Sequence, residues 1–551
     1  MQLSDNPRKL YDQVMEQKFF CTRSMGGRAN AYARWENIYD KGAAGIMRGR
    51  LNKAAPAIDT QASLLFAAHL VRFWGRVPPE EDDEDVYRQV ESVSEAVRLA
   101  WTDLELDEMF PMAVTQALVD GCYLLSITPQ VRTDWEVELR ADLIHPMDFG
   151  VGREVGTGSW RLDRQQSICV RSYHTLEELD SWIGPRKDKQ AILNKLCFVP
   201  IDQGERGTRI TGMAPGAAVF QSKPENWPAV SGSMGEDIAE RIAAEFFDLR
   251  IFDDEQGDWR VFTISGETIL RDRRAEEIGV PHMLPYVKIC ATDDPKSFWG
   301  VSMIDKLSPL QEWYLNRTEG MDEKFRQSFR PPTAAIGLGG GFEERLRAFS
   351  KAGGRIAIPN QNAKIQRFAP ELSDSDFTMM RMIASQIDEQ SELPPMLRGR
   401  NEPGIRGEGA LQGLKSLASA PTLRKSLKIE GQARATANLI FHSLRRYSKA
   451  RLVDTQGRFF YLAEFPQDIE MIVDGHSSSP IMVEDHKELA HGLLREGLIK
   501  PSRALRLVAP PMEGSMLHEM RDIEQAQMIA ASKIKQEQQM KRGGKESAGI
   551  E

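Results

Sequence analysis

The spacing of apolar residues changes character along this chain. Residues 5–20 (DNPRKLYDQVMEQKFF) repeat apolar positions at helical spacing, with Asp5 placed as an N-cap. The spacing continues through 30–40 and through the strongly apolar DTQASLLFAAHLVRFW at 59–74, which Pro78 and Pro79 close. Two more helices are predicted at DVYRQVESVSEAVRLAWTDL and at 107–121. The period then falls to two in CYLLSITPQV, WEVELRADLIHP and SICVRSYH, which predicts strands. Residues 175–195 return to a helical period, with Thr175 and Glu178 at capping-box spacing. The Gly-, Pro-, Ser- and Asn-rich stretch 200–235 predicts irregular chain. Strands resume over 236–275, with a hairpin turn at Asp254–Asp258.

From Ser297 to Arg445 the chain predicts helix, compact insert, helix, Gly-rich loop and long helix. Gly300-Val-Ser302 opens the first helix, with Ser302 as N-cap and Asp305 three residues on. Ile304, Leu307, Gln311, Tyr314, Thr318, Met321, Phe325 and Phe329 form one stripe, and Glu312, Glu319, Glu323 and Arg326 the opposite face. Pro309 is placed to kink this helix and Pro331-Pro332 to end it. About 28 residues would make a rod of roughly 42 Å. The insert 333–370 holds a strand (TAAIGL), a short helix (FEERLRAFSKA) and a strand pair (RIAIP with KIQRFA). A helix follows Ser373, with Met379, Met380, Met382 and Ile383 on its apolar face. ELPPMLRG stops it. The loop RGRNEPGIRGEGA carries Arg398, Arg400 and Arg406 among four glycines. A long helix from Leu411 to Ala450 is expected to break at Pro421 and Gly431. Its basic positions include Lys415, Lys425, Lys428 and Arg434. Two or three strands (GRFFYLAEF, DIEMIVDG) and a helical segment from Val483 complete the chain.

At 551 residues the chain is too long for one ordinary core. The net charge of −9 argues against a surface that grips nucleic acid all over. It leaves room for a passage with weak walls and a few basic contacts. Five scattered cysteines predict free thiols in a reducing compartment. No apolar run is long enough for a membrane span, and no signal-peptide pattern opens the chain. The acidic run Glu80–Asp85 suits a solvated helix N-terminus. His145 and Asp148 in LIHPMDFG offer an acid–base pair or, with no nucleophile nearby, a turn with a satisfied imidazole. Gly339–Gly341 lacks the Lys-Ser/Thr of a phosphate loop, and no HExxH, GxSxG or EF-hand spacing occurs. No catalytic residue, metal site or cofactor is expected, and the chain is not expected to be an enzyme.

This order of parts resembles the tailed-bacteriophage portal protein (head–tail connector) family. The residues that carry the resemblance are Gly300-Val-Ser302 through Gln311, Arg330-Pro-Pro332, Ser391-Glu-Leu-Pro-Pro-Met396, the helix after the loop, and IHPMDFGV. The resemblance spans roughly residues 50–510. It implies an α+β, mainly helical subunit of wing, stem, clip and crown, assembling into a ring with a central channel. The wing would be 1–285, the first stem helix 286–329, the clip 330–371 and the second stem helix 372–392. The tunnel loop would be 393–410, the long kinked helix and return to the wing 411–482, and the helical crown and polar tail 483–551. The family's function would follow. Twelve copies would pass double-stranded DNA without reading its sequence, at one capsid vertex of a virion assembled in the host cytoplasm. Arg398, Arg400, Arg406 and Lys415 would face the DNA. Glu343, Glu344, Arg345, Arg347, Lys351 and Arg355 of the clip would dock the terminase large subunit and head-completion or adaptor proteins. Major capsid and scaffolding proteins would be further partners, and no membrane is implied. Two other classes remain open: a hydrolase or nuclease with a helical lid, and a generic oligomeric adaptor scaffold.

Overall fold

The computed structural model describes residues 2–26, 28–41, 52–66, 73–76, 84–133, 136–175, 196–200, 220–221, 242–329, 333–336, 364–367, 373–392, 408–449, 451–453, 458–466, 469–473 and 490–496. Helix α1 (Pro7–Gly26) is capped by Asn6, whose Oδ1 accepts from the Arg8 N–H at 3.1 Å, and not by Asp5. It buries Val14, Cys21 and Met25. Helix α2 spans Ala29–Lys41. Helix α3 covers Ala54–Leu65, not 59–74. Asn52 starts it early by accepting from the Ala54 and Ala55 N–H groups at 3.0 and 3.1 Å. The aromatic end of the expected helix is instead strand β1 (Phe73–Arg76), rich in residues that suit a pleated surface.

Helices α4 (Glu84–Asp103) and α5 (Leu106–Asp120) follow the predicted pattern. Trp101, Phe110, Phe66 and Phe73 meet as a ring cluster, with Trp101 and Phe110 centroids 5.5 Å apart. Strands β2 (Tyr123–Thr133), β3 (Glu136–Ile144), β4 (Phe149–Val151) and β5 (Ser167–Thr175) take up the period-two region. Then come β6 (Cys197–Pro200), β7 (Phe220–Gln221), β8 (Ile242–Asp253), β9 (Asp258–Ser265), β10 (Thr268–Arg274) and β11 (Tyr286–Ile289). One sheet runs β10-β9-β8-β5-β4, with β6 joined to β8 and β7; a second runs β11-β2-β3. The β8–β9 turn falls where expected, with Asp253 opposite Asp258 and Gly257 at φ 66°. Helix α1 lies on β4 and β5, where Gly150 leaves room for the Cys21 carbonyl.

Helix α6 (Met303–Phe329) starts at Ser302, whose Oγ accepts from the Asp305 N–H at 3.1 Å. It runs through Pro309. Ile304, Leu307, Gln311 and Tyr314 are buried, but the stripe loses cover further on, and Phe325 is 49 % exposed. Helix α7 (Asp374–Gln390) starts at Ser373, whose N–H donates to Asp376 Oδ2 at 3.3 Å. Its buried positions are Ile383 and Ile387, while Met382 is exposed. Between these helices, β12 (Thr333–Ile336) pairs antiparallel with β13 (Lys364–Arg367). KIQR pairs with TAAI; RIAIP, its expected partner, lies outside the described residues.

Helix α8 (Glu408–Tyr447) is continuous over 40 residues and does not break at Pro421 or Gly431. No atom lies within 4 Å of a Cβ built on Gly431, so this glycine costs only helix propensity. Strands β14 (Arg451–Val453) and β15 (Phe459–Tyr461) form a ribbon, and β16 (Glu470–Val473) pairs with β1. The expected helix 176–195, most of 200–235, the insert helix, the Glu80–Asp83 part of the acidic run, and 483–551 apart from 490–496 lie outside the described residues.

Two glycines bring the end of α5 against the start of α6. Gly121 has φ 92°, and a Cβ on Gly300 would collide with the Gly121 carbonyl and the Cys290 sulfur. Gly300→Ala should lower stability by about 1–3 kcal/mol through overpacking. Gly431→Ala, in open space on a helix, should raise it by roughly 1 kcal/mol. Thermal unfolding of the two purified variants checks this contrast; equal melting shifts would refute it.

Candidate functional site

The residues expected to face DNA or dock partners lie almost wholly outside the described chain. Arg398, Arg400 and Arg406 fall there, as do Glu343, Glu344, Arg345, Arg347, Lys351 and Arg355; Lys415 lies on α8. What the structure does describe is the frame on either side of residues 393–407.

Helices α6 and α7 run antiparallel, tied at both ends. Lys324 Nζ meets Asp376 Oδ2 at 2.9 Å near one end, and Lys306 Nζ meets Glu392 Oε1 at 3.6 Å near the other. Glu392 follows α7 at φ 56°, a left-handed conformation unusual for a residue with a Cβ. Its second oxygen meets Lys425 Nζ of α8 at 2.8 Å. One carboxylate thus joins α6, the end of α7 and the long helix α8.

A second carboxylate repeats the device one turn along α8. Asp293 lies 3.3 Å from Lys288 Nζ of β11 and 2.6 Å from Lys428 Nζ of α8. Lys425 and Lys428 are three apart and share a helix face. Gln432 continues this line: its Oε1 accepts from the Cys290 N–H at 3.1 Å, and its Nε2 donates to the Cys290 carbonyl at 2.8 Å. Further along, Asn438 makes the same two-way contact with the Met471 backbone at 2.7 and 3.0 Å. Burial opposes ionisation of Glu392, but Lys425 and Lys306 outweigh it and hold its pKa below the ordinary 4.5. Burial likewise opposes the charge on Asp293, and Lys288 and Lys428 hold its pKa below the ordinary 3.8. Burial lowers the pKa of Lys425, which Glu392 offsets only in part.

Among the described residues, Glu36, Asp120 and His145 place ligand atoms within 4.8 Å of one another. Their hydrogen bonding does not suit a cation. His145 Nδ1 accepts from the Met147 N–H at 3.0 Å, so the ring proton sits on Nε2. That Nε2 faces Glu36 Oε1 at 3.0 Å and Asp120 Oδ2 at 3.7 Å. A metal on Nε2 would force that proton onto Nδ1, against the Met147 N–H. The trio is a brace between α2, α5 and the turn after β3. Asp148 is occupied too, since Arg171 Nη2 reaches its Oδ1 at 2.9 Å. The turn with a satisfied imidazole is what the structure contains.

Two concavities were not foreseen. A cleft of about 860 Å³ lies between the 160–166 segment and α8, lined by Trp160, Trp259, Tyr286, Lys428, Arg434 and Leu439. A groove of about 550 Å³ between α6 and α7 is lined by Met321, Phe325, Phe377 and Met380. The doubly shared carboxylates were also missed. Lys425 and Lys428 were visible only as a basic helix face, because Lys306, Glu392, Lys288 and Asp293 come from other elements. No described helix is long and apolar enough to cross a membrane.

No family model matches the chain, and no curated protein matches it. Among solved structures, it is similar to a chain of the virion of a native gene transfer agent (GTA) particle. The TM-score is 0.37 and the identity 12%, over 83% of this chain and 89% of that chain. It is also similar to a chain in the neck of an empty GTA particle computed with C6 symmetry. There the TM-score is 0.38 and the identity 12%, over 87% of this chain and 94% of that chain. At these scores each stands as a likeness only.

The carboxylate clamps set a pH dependence. Both carboxylates have folded pKa values below their ordinary ones, so their stabilisation is present above about pH 4.5 and is lost as pH falls through the folded values. Glu392→Gln combined with Asp293→Asn should cost roughly 2–4 kcal/mol at pH 7, by leaving half-buried ammoniums without a counter-charge. The gap from the parent should close towards pH 2. Denaturant unfolding at pH 7, 4 and 2.5 measures it, and a pH-independent gap would contradict the clamp.

Proposed function

We propose that this chain is a portal-type subunit: twelve copies form the ring at one capsid vertex through which double-stranded DNA enters and leaves. The observation that carries this reading is the frame built from α6, the β12–β13 pair, α7 and α8. Two antiparallel helices lead out to a small β pair and return, and the chain then enters a 40-residue helix bound to the mixed β region. Such a frame suits a channel wall. It sets a docking module at one end of a stiff hairpin and brings the intervening loop back to a fixed base.

In this reading the 330–371 insert is the clip, which meets the terminase large subunit and later the adaptor proteins. The 393–410 loop lies nearest the axis. Arg398, Arg400 and Arg406, repeated around a ring, form belts of positive charge that touch phosphates without reading bases. The acidic net charge of −9 keeps the rest of the wall from holding the duplex. The subunit positions and passes its cargo and catalyses nothing itself.

Negative-stain images of the purified chain should show closed rings of twelve. Arg400→Ala combined with Arg406→Ala should leave ring assembly intact while shortening the packaged genome or weakening its retention in the particle. Rings of normal stability that package and retain a full genome would remove the DNA contact from this loop. A protein that stays monomeric at all concentrations would overturn the portal reading itself.

A further inference from the structure

Strand β11 is one edge of its three-stranded sheet, and it lines the cleft of about 860 Å³ beside α8. The Ile127 N–H of β2 donates to the Pro285 carbonyl at 2.8 Å. Antiparallel bonding alternates along a strand, so Val287 and Ile289 also turn their peptide groups towards β2. Tyr286 and Lys288 turn theirs away from it. Cys290 shows where that outer side leads, because its N–H and carbonyl both meet the Gln432 carboxamide of α8. A side-chain amide thus stands in for one residue of a missing neighbour strand. At Tyr286 and Lys288 no described strand takes that place. A strand edge of this kind is a template for an added strand.

The cleft has room for one, since its volume lies in the range of ligand clefts, roughly 300–1,000 Å³. Helix α8 contributes Gly431 and Ala435 to it, both exposed, and no atom lies within 4 Å of a Cβ built on Gly431. Trp160, Trp259, Met283 and Leu439 give it apolar walls. Its charge is positive. Arg161 pairs with Asp163, and Asp293 serves both Lys288 and Lys428, which leaves one ammonium in excess. Arg164, exposed on the same wall, has no ion pair among the described residues, and Arg434 meets Glu470 only at 3.7 Å. A positive cleft in a chain of net charge −9 is complementary to carboxylates brought by a partner. A nucleic-acid strand suits it less. A polyanion would face Asp163 and Asp293, and it has no peptide groups to offer the strand edge.

We propose that the outer edge of β11 docks an extended peptide segment of a partner protein, one that alternates carboxylate and apolar side chains. Its backbone pairs with the outward peptide groups of Tyr286 and Lys288, and Gln432 marks where the added strand stops. Its apolar side chains pack on Trp160 and Leu439, and its carboxylates meet Arg164, Lys428 and Arg434. Strand β11 spans 4 residues, roughly 13 Å, so a segment of about four to six residues covers it. The contact needs one folded subunit and holds whether or not copies close into a ring.

The test uses the full chain and, as probe, an acetylated and amidated hexapeptide that alternates valine and glutamate. The probe should bind once per subunit in calorimetry and should slow amide exchange at Tyr286 and Lys288. Arg164→Glu should weaken binding at least about tenfold, and so should glutamine in place of the probe's glutamates. Gly431→Trp, which fills the cleft from an open helix position, should abolish binding while thermal unfolding stays cooperative. N-methylation of the probe's amides should abolish it too, which contact through side chains alone would not require. A probe that fails to bind at millimolar concentration, or that binds the Gly431→Trp chain equally well, overturns the proposal. So does a glutamine probe that binds as tightly, or a single-stranded oligothymidylate that protects the same amides. Protection of those amides that appears only when the chain assembles with itself also overturns it, and makes a second copy the occupant.

Discussion

Everything in this structure depends on how α8 is fastened. A 40-residue helix gains little from its own hydrogen bonds once formed; tertiary contacts decide where it lies. Its fastenings are polar and ordered along its length. Lys425 takes Glu392 at the end of α7, Lys428 takes Asp293 after β11, Gln432 brackets Cys290, and Asn438 brackets Met471. Arg445 then donates to the Phe465 carbonyl at 2.6 Å. Apolar contact alone would let a long helix slide by a turn at modest cost. Backbone N–H and carbonyl groups gripped in pairs do not allow that, because a one-turn shift would leave each of them buried and unpaired.

The two clamped carboxylates carry an energetic consequence of the same kind. Each is shared by two ammoniums, so each cluster keeps one positive charge in excess within partly buried surroundings. Such clusters add little net stability compared with apolar replacements, but they are costly to break from one side. They fix register more than they add free energy.

Much of this frame was legible in the sequence. Ser302 and Ser373 mark the starts of α6 and α7, and the apolar stripe from Ile304 to Tyr314 is buried as spaced. The strand runs around β8, β9 and β10 and the turn at Asp254–Asp258 follow their period and their turn residues. The failures have physical causes. Asn52 outcompeted any later cap for α3, and the aromatic end of that segment found a strand partner far along the chain. Local period cannot see such a partner. Pro421 and Gly431 looked like breaks by propensity, which tertiary fastening overrides. The clamps were invisible because their members come from four separate elements. The candidate site residues Arg398, Arg400 and Arg406 rest on pattern and resemblance, whereas the end of α7 and the course of α8 rest on geometry.

The pairing of β1 with β16 has a consequence for how the molecule comes into being. Phe73 sits opposite Val473, with the two larger sheets, the helix hairpin and α8 all lying between them in the chain. During synthesis the first of these strands emerges long before its partner exists. The β1 edge therefore remains open at this seam until the ribosome has passed the long helix. Contacts of such separation form slowly, and a strand edge waiting for its mate is a template for the wrong one. Gly75, pressed against Val90 and Ile469, and Trp74, still exposed in the finished fold, would be bare throughout that interval. A chain built this way gains from closing its seam soon after release, before that edge is misused.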